Sequence, residues 1–140
     1  GFWRNVASSP AMRRWAGLAF WGTLLQTVEM IFHHFSYLDL DRLLAGQATP
    51  ILTIHLALAL VVYPLFAVLV VGAILVGVRT GELGRGWFAP LGVVGAMAHG
   101  LAPLLVLTFE IEQARILFPM VMLFAIWSVL TAIFPRRKEG

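Results

Sequence analysis

Five side chains in this sequence could do chemistry in an apolar setting: Glu29, His33, His34, His55 and His99. Three of them fall in one run, Gln26-Thr27-Val28-Glu29-Met30-Ile31-Phe32-His33-His34, inside a stretch otherwise apolar enough to cross a bilayer. On a helix turning about 100° per residue, Gly22, Gln26, Glu29 and His33 share one face, and His34 points about 100° away from His33. Ionisable groups in a membrane span cost on the order of 3 kcal/mol each on insertion scales, so they face protein or water and mark a functional site by default. The bland alternative is a tie between Glu29 and His33 at i,i+4 that only holds helices together.

Three chemistries suit these residue types. Two imidazoles on neighbouring helices can hold haem b or another tetrapyrrole; the expected pair is His55 with His33 or His34, and a lone imidazole at His99 could carry a chlorophyll-like ring. Glu29, His33 and His55, with His34 or His99 in reserve, could instead bind copper, zinc or iron, ions suited to carboxylate and imidazole ligands. In the third chemistry a desolvated Glu29 exchanges protons through His33 with the outer face, at a proton or quinone site.

These side chains need long helices to position them. Of the 140 residues 60% are hydrophobic and 12% charged, too apolar for a soluble domain, whose apolar share is about half. Four stretches are long enough to cross about 30 Å of hydrocarbon: about 15–37, 50–78, 88–109 and 115–134. The expected fold is therefore an all-α antiparallel bundle of four membrane helices forming a single domain over 1–140, with residues 1–14 in the headgroup layer. The basic, apolar start continues into Glu29 without a small-residue cleavage motif, so it reads as a retained span and not a signal peptide.

Eight of the ten Lys and Arg residues lie before the first stretch, between the second and third, or after the fourth; only Arg42 and Arg115 occupy the other two loops. The positive-inside rule then puts both termini in the cytoplasm and the loops 38–49 and 110–114 outside. A bacterial inner membrane is the expected location. The positive balance reports orientation, and no basic patch interleaved with aromatics points to nucleic acid. With no cysteine, disulfides, thiolate metal sites and covalent haem attachment are excluded.

Helix rise of about 1.5 Å per residue sets which groups share a level. His33 or His34 matches His55 in the outer half, while His99 matches Gln26 or Glu29 nearer the midplane. Ser9-Pro10 and Thr49-Pro50 are cap-plus-proline helix starts, and Leu38–Leu44 alternates apolar and acidic residues like a short interfacial helix. Pro64 should kink the second span. The glycine-rich turn from Arg79 to Gly86 lacks the spacing of a phosphate-binding loop and reads as a connector. Gly92, Ala96 and Gly100 form a small-residue stripe for close contact with another helix, from a partner or from the first span. Met120, Met122, Phe124 and Trp127 should face lipid or pack.

Four spans with one carboxylate in the first resemble, in outline, the small multidrug-resistance transporters. The residues around Glu29 do not match that family and the charge bias opposes its dual insertion, so no family is assigned. The functional expectation is a small membrane subunit of a larger redox complex, with lipid and other membrane subunits as partners and the His and Glu cluster holding a cofactor or lining a quinone or proton site. A purely structural accessory subunit and a small proton-coupled transporter using Glu29 are the alternatives.

Overall fold

The first long helix, α1 (Pro10–Phe35), starts where its sequence says it should. Ser9 Oγ accepts the Met12 N–H at 3.1 Å, and Pro10 takes the first helical position, where its missing donor costs nothing. A 3-10 turn (Ser36–Asp39) leads into the short α2 (Leu40–Leu44), and α3 (Pro50–Thr80) follows. In this computed structural model the described residues are 9–83 and 86–134. Most of the headgroup segment expected over 1–14, together with Arg85 and the basic run 136–138, lies outside the described residues.

The start of α3 departs from expectation. Thr49 makes no side-chain cap; the buried carboxylate of Asp39 reaches across the loop and accepts from Ile51 N–H at 2.7 Å and Leu52 N–H at 2.9 Å. Pro50 removes one donor, and the next two would otherwise be left unpaired at the positive end of the helix dipole. The helix runs unbroken through Pro64 and ends at Gly81, whose φ of 71° gives the left-handed closure that glycine makes without strain.

After a 3-10 turn (Gly86–Phe88), α4 (Ala89–Pro103) continues as a π turn (Leu104–Thr108), and a 3-10 stretch (Glu112–Met120) leads into α5 (Val121–Ile133). No strand occurs among the described residues. Three segments are long and apolar enough to cross a membrane, Pro50–Thr80, Gly86–Thr108 and Glu112–Ile133, as in an integral membrane protein. The fourth long helix, α1, is outside that class, because Arg13, Arg14, Gln26, Glu29, His33 and His34 dilute its apolar character.

Consecutive helices pack in file, α1 on α3, α3 on α4 and α4 on α5. A core of Phe66, Val70, Ile74, Phe88, Ala89, Ala96 and Trp127 binds them, with Phe124 stacked on Trp127 at 5.6 Å and Met122 exposed. The stripe Gly92, Ala96 and Gly100 is buried within the chain, and this corrects the expectation that it meets a partner or the first helix. A Cβ on Gly100 would lie 2.3 Å from Ala67 Cβ and 2.9 Å from the Tyr63 carbonyl, so this glycine lets α4 touch the backbone of α3. Gly92 sits against Ile74 and Trp127, and Gly95 against the backbone of Phe124.

Candidate functional site

Glu29 is fully buried on the face of α1 that meets α3. Its Oε1 lies 2.6 Å from His55 Nδ1, and its Oε2 accepts from Gln26 Nε2 at 3.3 Å. The partner of Glu29 is thus His55 on α3, which replaces the i,i+4 tie to His33 considered from the sequence. His33 comes one step further on: its Nδ1 stands 3.2 Å from His55 Nε2, with ring centroids 4.7 Å apart. A single file of hydrogen bonds therefore runs Gln26, Glu29, His55, His33, from a carboxylate sealed from solvent to an exposed imidazole.

His34 is outside this file. Its Nδ1 lies 2.8 Å from the Met30 carbonyl of its own helix, and its ring meets His33 edge-on. The 100° between consecutive side chains sends one imidazole towards α3 and the other away.

His99, on α4, packs over Tyr63 with ring centroids 4.5 Å apart and has Phe66 and Phe118 edges at 6.2 and 6.5 Å. Its Nδ1 is buried with no hydrogen-bond partner, as is the Oε1 of Gln26. The Tyr63 hydroxyl, 3.8 Å from Met30 Sδ, lies close enough to Glu29 and Gln26 to interact with both. His33, His55, Tyr63, His99 and Arg115 all line one cavity of about 630 Å³, whose remaining walls are aliphatic or aromatic apart from the Met30 thioether. Arg115 stands at its edge with its guanidinium engaged by Glu112.

The ligand sets read from the sequence can now be placed. Glu29 and His55 are bonded to each other, and among the described residues no group of three or more His, Cys, Asp or Glu side chains is arranged to hold a metal ion. A bis-imidazole haem needs two ring nitrogens about 4 Å apart with the macrocycle between them, twice a metal–nitrogen bond of about 2 Å. Here His33 and His55 turn those nitrogens on each other, ring against ring.

Two participants carried a weak sequence signal or none. Tyr63 lies eight residues after His55, two turns along the same face of α3, a spacing that places it beside the cavity once His55 is known to face it. Asp39 acts through a loop twelve residues ahead of the groups it caps, and no local periodicity reports such a contact.

No family model matches the chain, and neither curated proteins nor solved structures include one similar enough to indicate a family.

Proposed function

We propose that this chain is a small membrane subunit of a redox complex and that it carries protons between the buried Glu29 and the cavity beside His33. The observation that supports this reading is the unbroken contact Glu29, His55, His33. With Glu29 as a carboxylate, His55 donates Nδ1–H to it, leaving His55 Nε2 to accept Nδ1–H from His33. The free Nε2 of His33 is then the port. A proton arriving there lets His33 pass its Nδ1 proton to His55 Nε2, and His55 pass its own Nδ1 proton to Glu29 Oε1. Each ring loses one N–H as it gains another, and the carboxylate ends as a carboxylic acid still held by Gln26.

Burial favours this use of the groups. An isolated buried carboxylate is costly, so Glu29 gains from a partner that can share or deliver a proton, and imidazole is the side chain suited to do so near neutral pH. In the topology given by the charge bias, the port opens towards the outer face. Isolating the chain with its native partners and following the activity of that complex against pH tests the proposal. Glu29→Gln should leave assembly intact and lower activity across the pH range, whereas full activity at every pH would reduce Glu29 to a helix tie.

A further inference from the structure

We infer that the cavity beside His33 is the headgroup site for a neutral, tailed quinone or quinol, and that a second cavity deeper in the bundle receives its hydrocarbon tail. The inference rests on the relay reading only for what becomes of the proton; binding stands on separate observations.

The first observation is charge. Arg115 is engaged by Glu112, and Glu29 is held by His55 and Gln26, so the polar cavity presents no uncompensated formal charge to an occupant. A phosphate or carboxylate headgroup would find no free cation there, whereas a neutral ring meets walls of matching polarity. The second observation is hydrogen bonding. His99 Nδ1 is a buried nitrogen without a partner, and buried polar atoms are normally satisfied, by protein, water or ligand. It lies on α4, while His33, whose Nε2 is free, enters the same cavity from α1; His55 lines the cavity from α3 with both ring nitrogens already bonded. A ring with two separated oxygens can engage both sides. Imidazole donates in one tautomer and accepts in the other, so these partners suit the carbonyls of a quinone and the hydroxyls of a quinol alike.

The third observation is the second cavity, about 340 Å³, between α1, α3 and α5. Its floor on α3 is Val70, Ala73 and Ile74, the continuation of the helix face that carries Ala59 and Tyr63 in the polar cavity. Phe66 lies between the two, its ring meeting His99 of the polar cavity on one side and Phe124 of the apolar one on the other, so a tail reaching from one to the other passes along this ring. From Tyr63 this floor lies about 10 to 17 Å along α3 by helix rise. Two hydroxyls line this cavity, and both are spent on their own helices: Thr23 donates to the Ala19 carbonyl and Ser128 to the Phe124 carbonyl. What remains for an occupant is hydrocarbon and aromatic surface with the Met12 thioether.

The test is calorimetric titration of the purified chain in mild detergent with a decyl-substituted benzoquinone and with the same headgroup lacking the chain. The decyl compound should bind about ten-fold more tightly, because its chain makes packing contacts in the apolar cavity that the bare headgroup leaves unfilled. His99→Phe keeps a flat ring against Tyr63 but removes the orphan nitrogen; it should weaken both compounds about ten-fold, the loss of one hydrogen bond, with cooperative unfolding retained. Ala73→Leu and the milder Thr23→Leu fill the apolar cavity and should bring the decyl compound towards the affinity of the bare headgroup while leaving the latter unchanged. Absence of binding by the wild-type chain, or binding indifferent to both His99→Phe and Thr23→Leu, overturns the inference. Glu29→Gln separates the two proposals: it should abolish proton delivery and spare quinone binding, so loss of one leaves the other standing.

Discussion

His55 has both ring nitrogens committed, Nδ1 to Glu29 and Nε2 to His33, and the three histidines at this end of the bundle should therefore differ sharply under mutation. His55→Ala strips a fully buried carboxylate of its ionisable partner, the kind of loss that costs about 3–5 kcal/mol. His33→Ala removes one exposed hydrogen bond, about 1 kcal/mol, and His34→Ala, confined to its own helix, should stay within about 0.5 kcal/mol. Unfolding in detergent compares the three, and equal losses would contradict the geometry. Asp39→Ala should cost about 0.5–2 kcal/mol by uncapping α3, with Asp39→Asn costing less because an oxygen acceptor remains. The residue types were visible in the sequence, as was the shared level of His33 and His55; the bond between Glu29 and His55 was not. Glu29 and His33 satisfy the i,i+4 rule, yet the contact formed is between helices, since burial against α3 brings His55 closer to the carboxylate than its own helix neighbour.

Helix ends follow local chemistry and were readable where that chemistry is local. Ser9-Pro10 starts α1, whereas Thr49-Pro50 marks the start of α3 correctly but leaves the capping to a residue beyond the loop. The small-residue stripe was equally visible, but its partner depends on which helices become neighbours, and no spacing within α4 states that α3 lies there. Two glycines turn this packing into a test. Gly95→Ala would place a Cβ 2.4 Å from the Phe124 backbone nitrogen; the collision is with main chain, so overpacking should cost about 1–3 kcal/mol. Gly17→Ala meets nothing within 4 Å and should stabilise α1 by about 0.5–1 kcal/mol through helix propensity. Melting temperatures that shift the same way in both variants would mean that α5 does not approach α4 as described.

The assembled bundle places the relay, the polar cavity and the Asp39 loop towards one end and the Gly81 turn at the other. Single cysteines at Ala45 and Thr80, probed with an impermeant reagent in sealed vesicles, should label from opposite sides of the membrane; labelling of both from one side would refute a spanning α3. What the whole molecule adds to its parts is a file of hydrogen bonds from the exposed His33 to Glu29, a side chain with no exposed surface of its own, along which the proposed proton route would run. That route can be timed directly. In time-resolved infrared spectroscopy after a jump into deuterated buffer, at a pH low enough to hold Glu29 as the carboxylic acid, the carboxyl C=O band assigned to Glu29 by its loss in Glu29→Gln should exchange quickly in the wild-type chain. In His33→Phe, which leaves the Glu29–His55 contact in place, exchange should slow by about 100-fold, the lower end of what a positioned proton-transfer group contributes. Exchange at the wild-type rate in His33→Phe would show that protons reach Glu29 by another path and would contradict the relay.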